Sequence, residues 1–167
     1  MAKYLTNNAG TVTEAATIAT SAGAADSGKI PGLDGTGRLD TSFLPVGIGA
    51  DTASIAASEA LAAGDYVNIH NSTGAKVRKA DASTAGKEAH GFVLAAVSSG
   101  ANATVYFEGT NTQVTGQTPG VLYLSASTPG AATAVAPTGT GQVVQRLGIA
   151  IGTTAANFEP QPPIVLA

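Results

Sequence analysis

His70 and His90 are the chain's two histidines and its first candidates for acid–base or metal chemistry. His70 falls on the polar side of an alternating run, and His90 opens the next apolar one. A zinc site needs several His, Cys or carboxylate ligands at close spacing, and the chain has no Cys. The glutamates Glu14, Glu59, Glu88, Glu108 and Glu159 form no spaced motif around either imidazole. Serine is plentiful, but no Gly-x-Ser-x-Gly elbow is present to expose a nucleophile.

Two further spacings imitate chemistry. Gly23, Gly28 and Lys29 have the Gly-x-x-x-x-Gly-Lys spacing of a phosphate loop. Ile30 stands where a magnesium-binding Ser or Thr is required, Pro31 follows, and no strand–helix context surrounds the match. Asp34 to Asp40 suggests a calcium loop, but Arg38 sits among the oxygen donors and Pro45 occupies the place of the bidentate Glu. A tight turn with Asp34 hydrogen-bonding locally is the simpler reading. Asn71-Ser72-Thr73 and Asn102-Ala103-Thr104 are formal glycosylation sequons, read here as hairpin turns. These residues predict a non-enzymatic protein with no catalytic, cofactor or metal site.

Composition narrows the class further. Charged residues make up 11% of the 167 residues and the net charge is −3, against a usual charged fraction of roughly 25%. Lys76, Arg78 and Lys79 are the closest basic grouping, too small for a phosphate-tracking surface, so nucleic acid is not an expected partner. No apolar run reaches the roughly 20 residues of a membrane helix, and no membrane partner is expected. The start of the chain has no apolar signal region, which leads to an expectation of synthesis in the cytoplasm without export. Much of the 44% hydrophobic content is Ala, with only four Tyr and four Phe. The core must be thin, and part of the apolar surface is expected to be covered by other copies or a partner.

Two regions must position whatever these residues do. Residues 1–50 read as an arm, either extended or partly helical. Thr11 to Ala25 permits a short helix or an ordered extended segment. A helical turn is expected at Asp40 to Leu44, capped by Asp40 or Thr41 and stopped by Pro45. Ile30, Leu33, Leu39, Phe43 and Leu44 are large apolar groups in a small-residue segment, and are read as docking anchors. Residues 51–167 read as a mostly β domain, a small barrel, tulip or sandwich of about seven short strands. Asp65 to His70 alternates, with Val67 and Ile69 opposite Tyr66, Asn68 and His70. Ala75 to Ala80 returns from the turn at Asn71 to Gly74. Gly91 to Val97 reads as a central strand, followed by Ala103 to Glu108 and Gly120 to Ser125. Thr128 to Gly141 is a loop with room for one edge strand. Gln142 to Ile151 is the longest run, with Val143, Leu147, Ile149 and Ile151 assigned to one face. Ile164 to Leu166 is a final edge strand.

The segment from Gly28 to Pro45 resembles a motif of tailed-bacteriophage structural proteins, carried by Lys29, Ile30, Pro31, Leu33, Asp34, Gly37, Arg38, Leu39, Asp40, Ser42, Leu44 and Pro45. The rest is similar to a phage β module of capsid decoration (cement) proteins and some head fibres. The resemblance lies in Ala63 to Asn68, Lys76 to Ala80, His90 to Leu94, Ala103 to Gly109, Gly120 to Ser125 and Val144 to Gly148. It implies a virion structural protein on the outer capsid surface, a homotrimer that bridges capsomers and stabilises the shell, with the major capsid protein and its own copies as partners. On this reading Ile30, Leu33, Leu39, Phe43 and Leu44 dock the arm onto capsid or a neighbouring copy, while Asp34, Arg38 and Asp40 fix its register. A tail-fibre or baseplate-associated adhesion module is the alternative, and a generic β assembly protein is a third.

Overall fold

The computed structural model describes residues 2–44 and 49–167. The chain divides into two compact units, Met1–Gly49 and Ala50–Ala167.

The first unit opens with an antiparallel hairpin, β1 (Lys3–Asn8) and β2 (Thr11–Ala16), in register from Lys3↔Ala16 to Asn8↔Thr11. Ala9 and Gly10 form the two-residue turn, with φ of 50° and 90°. Two positive φ values give the turn a twist that matches the strands. The Gly10 N–H donates to Asn7 Oδ1 at 2.8 Å. Of the two readings open for Thr11 to Ala25, the extended one holds over Thr11–Ala16, which is strand β2, and the helical content is one 3-10 turn, Gly23–Asp26. The segment has too few large apolar residues to bury a helix face, whereas the turn supplies β2 with a backbone partner at once. A second 3-10 turn, Thr41–Phe43, forms where the sequence predicts one. The Pro45 stop lies outside the described residues. No α-helix occurs among the described residues.

The second unit is β throughout. Strands β3 (Thr52–Ala57), β4 (Tyr66–Asn71), β5 (Ala75–Lys79), β6 (Gly91–Val93) and β7 (Asn102–Tyr106) close into a barrel in the order β3-β5-β4-β6-β7. The β3–β5 pair is parallel and the others are antiparallel. One core contains Ala57, Leu61, Val67, Val77, Val93, Ala103 and Val105. A small barrel has room only for such side chains, so an aromatic-poor sequence suits it.

The remaining strands are β8 (Gly109–Asn111), β9 (Gly120–Leu124), β10 (Ala132–Thr133), β11 (Val143–Val144), β12 (Arg146–Ala150), β13 (Ala156–Phe158) and β14 (Ile164–Val165). Five make a sheet in the order β10-β9-β12-β13-β8, and β11 pairs with β14. A second core gathers Leu122, Leu124, Leu147 and Phe158 from this sheet with Tyr66 and Phe92 from the barrel strands. Phe158 lies 5.5 Å from Tyr66 and 5.6 Å from Phe92 between ring centroids, and Phe92 stacks on Tyr106 at 5.4 Å. Half of the chain's aromatic side chains thus concentrate in one place. Burial pushes the Tyr66 phenol up to about 12.

Three strand expectations are corrected. Strand β4 is buried on both faces: Val67 belongs to the small-residue core and Tyr66 to the aromatic one, so Tyr66 and Asn68 are not on a solvent face. Asn68 is satisfied there by donating to Glu88 O at 2.8 Å and accepting from Arg78 Nε at 3.0 Å. The Gly91 strand stops at Val93, and Val97 makes only an isolated bridge to Leu61. The run from Gln142 to Ile151 breaks at Gln145, and a bulge between Arg146 and Gly148 shifts the register. A bulge adds one residue and reverses the alternation beyond it. Leu147 and Ala150 are therefore buried, while Ile149 and Ile151 face solvent.

Candidate docking site

The anchor segment is built from short self-closing turns. Asp34 organises the first. Its Oδ1 accepts from the Thr36 N–H at 2.8 Å, the Thr36 hydroxyl at 2.7 Å and the Arg38 N–H at 2.9 Å. The backbone closes the same loop, with Asp34 N–H donating to Arg38 O at 2.8 Å and Gly37 N–H to Asp34 O at 3.0 Å. Gly37 has a φ of 76°, a left-handed value that glycine adopts without strain. The hydrogen bond from the Arg38 N–H, followed by those from Thr36, holds the Asp34 carboxyl below its usual range.

Asp40 caps the second turn, its Oδ1 accepting from the Ser42 N–H at 2.9 Å. Hydrogen bonds from Ser42 lower its carboxyl as well. The Ser42 hydroxyl in turn accepts from the Ser21 N–H at 2.8 Å. A parallel bridge ties Ile18 to Pro31: the Ile18 N–H donates to Ile30 O at 3.1 Å and the Gly32 N–H to Ile18 O at 2.8 Å. Gly32 is required at that crossing, because a Cβ there would lie 2.6 Å from Thr17 Oγ1. The Lys29 ammonium pairs with Asp26 at 2.7 Å, and this bond leads the causes that lower the Asp26 carboxyl.

These bonds leave the apolar side chains outside. Ile30 is 46% exposed, Leu33 67%, Leu39 43% and Leu44 40%; Phe43 is half-buried. No described residue of Met1–Gly49 is buried. Asp34 and Asp40 each use one carboxylate oxygen, Oδ1, within their own turns. Asp34 holds the backbone of Arg38, and among the described residues the Arg38 guanidinium forms no salt bridge. Sequence reasoning missed Leu5 and Val12, which are 75% and 66% exposed on the hairpin. Their signal was the alternation of Lys3 to Asn8 before the Asn8-Ala9-Gly10 turn.

The residues whose spacing imitates chemistry make the following contacts. Ser58 Oγ lies 3.0 Å from His70 Nε2 and 3.1 Å from Val77 O. No carboxylate bonds His70 among the described residues. His90 Nδ1 accepts from the Ile69 N–H at 3.0 Å, a lock between β4 and the start of β6. The phosphate-loop glycines fall in the 3-10 turn at Gly23–Asp26 and the turn after it, with Lys29 already engaged by Asp26. No group of three or more His, Asp or Glu side chains among the described residues is placed to hold a metal ion. Comparison with protein-family models, curated proteins and solved structures finds no match.

Proposed function

We propose that this protein is a phage virion structural protein that decorates and stabilises the outer surface of the capsid, as a homotrimer bridging capsomers. The observation that carries the reading is the state of the first unit. It is ordered by many local hydrogen bonds, has no buried side chain among its described residues, and holds Ile30, Leu33, Leu39 and Leu44 out to solvent. Apolar groups fixed in that way gain burial only from another surface, at about 25 cal/mol per Å². The phage-like motif from Gly28 to Pro45 covers the same residues, and the major capsid protein is the surface it suggests.

In this reading the β unit, a closed barrel with a sheet packed on it, stands on the shell as the tulip-like or sandwich domain of a decoration protein and builds the trimer. The arm carries the capsid contact. Rigid turns suit that task, because a preformed docking segment loses less conformational entropy on binding than a disordered one. The test is co-sedimentation of the purified chain with expanded, DNA-free heads. Full-length protein is expected to pellet with heads, and a deletion of residues 1–49 to stay in the supernatant while keeping the β signature in circular dichroism. Failure of the full-length protein to bind heads would refute the role.

A further inference from the structure

The β1–β2 hairpin is an unfinished sheet. A lone hairpin is marginal in water, and this one belongs to a unit without buried side chains. Its strands are six residues long, whereas the edge strands of the five-stranded sheet, β8 and β10, have three and two. Short edges, prolines, bulges and edge charges are the usual protections against strand addition; the hairpin has only the charges Lys3 and Glu14, which pair with each other.

The direction of its free backbone groups follows from the register. Asn8↔Thr11 flanks the two-residue turn, and the Thr17 N–H donates to Ala2 O at 3.0 Å just beyond Lys3↔Ala16. Hydrogen-bonded pairs therefore fall on the even-numbered residues of β1. Lys3, Leu5 and Asn7 turn their N–H and C=O outward; on β2 the outward set is Val12, Glu14 and Ala16. Among the described residues none of these six has a backbone partner outside the hairpin.

We propose that β1 pairs antiparallel with β1 of a second copy of this chain, about a two-fold axis at Leu5. In this register Leu5 lies opposite the second copy's Leu5, and Lys3 opposite its Asn7. Every outward N–H and C=O of Lys3, Leu5 and Asn7 then meets a partner, and the two exposed leucines cover each other. No like charges come opposite, and Lys3 keeps its 2.6 Å contact with Glu14. The same full overlap through β2 would centre on Glu14 and set two carboxylates face to face, which destabilises a sheet. Charge thus selects β1 as the pairing edge. The contact is independent of any role on a capsid and forms between free copies.

Because the chain has no Cys, single thiols report the pairing directly. Cα atoms in a hydrogen-bonded antiparallel pair lie about 5.5 Å apart, within disulfide reach. Under mild oxidation L5C is expected to form disulfide dimers about tenfold faster than V12C, a similarly exposed control. A mixture of K3C and N7C is expected to crosslink, while each alone does not. Equal rates for L5C and V12C, or a mixture no faster than its components, would overturn the proposal and leave the edge to an unlike strand. In L5P the hairpin's own bonds survive but one outward N–H is gone, so sedimentation should record weaker self-association; an unchanged profile also counts against it.

Discussion

Gln145 and Ala89 hold each other as residues of neighbouring strands do. The Ala89 N–H donates to Gln145 Oε1 at 2.7 Å, and Gln145 Nε2 donates to Ala89 O at 2.9 Å. Both residues are buried. The side-chain amide replaces a missing stretch of ladder at the point where β11 gives way to β12, so one glutamine closes the gap between the second sheet and the loop leading into β6.

Replacing that amide strands two buried backbone groups. Gln145→Leu is expected to cost about 3 kcal/mol, since each unpaired buried group costs about 1–3 kcal/mol. Gln145→Glu keeps the shape but points an acceptor at the Ala89 carbonyl, and is expected to cost at least as much. Urea denaturation gives both numbers. A loss below about 1 kcal/mol would mean that the loop re-forms its bonds with water.

The bulge at Gly148 makes a second, sharper contrast. Gly148 has a φ of 136°, and a Cβ there would run into the carbonyl oxygen of Asn157 on β13. Gly74 has a comparable φ of 104° with nothing within 4 Å of its would-be Cβ. Gly74→Ala is therefore expected to cost only backbone strain, about 1–2 kcal/mol. Gly148→Ala adds a clash between adjacent strands and is expected to lose about 4 kcal/mol or fail to fold. Equal thermal shifts for the two would show that β12 and β13 can separate freely.

That same bulge marks where the sequence stopped being legible. Period-two alternation at Asp65 to His70 and Ala103 to Glu108, and the turns before Ala75 and Gly120, located the strands that form at Tyr66–Asn71, Asn102–Tyr106, Ala75–Lys79 and Gly120–Leu124. Alternation put Ile149 and Ile151 on one face with Val143 and Leu147 because nothing local announces the extra residue between Arg146 and Gly148. It also set Tyr66 and Asn68 on the polar side with His70, because what buries them, Phe158 beside Tyr66 and the Glu88 carbonyl and Arg78 beside Asn68, is not local in sequence. The short strands Gly109–Asn111 and Ala156–Phe158 carry too few residues for a period to register, and pairing partners alone make them strands. In the arm, Asp40 announced its turn through cap chemistry, whereas Ala9 at positive φ hid the hairpin turn, a position where Asn or Gly is the usual signal.

The proposed docking role separates stability from binding at Leu33. The side chain is two-thirds exposed, on a loop closed by Asp34. Leu33→Asn is expected to change folding stability by less than about 0.5 kcal/mol. Head binding in the co-sedimentation assay is expected to weaken about tenfold or more. Phe43, being half-buried, is expected to affect both on substitution by Ala. Unchanged head binding for Leu33→Asn and Leu39→Asn together would remove the arm from the contact.

The turn at Asp34 has a pH dependence whose sign is fixed. Its carboxyl is held below the ordinary value of 3.8, first by the Arg38 N–H and then by Thr36. A carboxyl lowered by folding stabilises the fold fully above its unfolded value, and that contribution is lost as pH falls through the lower folded value. The turn is therefore expected to stay closed through neutral and mildly acidic solution and to open only below pH 3.8. Asp40 and Asp26 are shifted in the same direction, so the arm as a whole loosens in that window. The amide resonances of Thr36 and Arg38 report it: both are expected to move together in acid and to stay fixed above it. Asp34→Asn retains an acceptor oxygen without a titrating proton, and is expected to keep the turn while abolishing the acid transition at these amides. Movement of the two amides near pH 6 would assign the turn to a group other than Asp34.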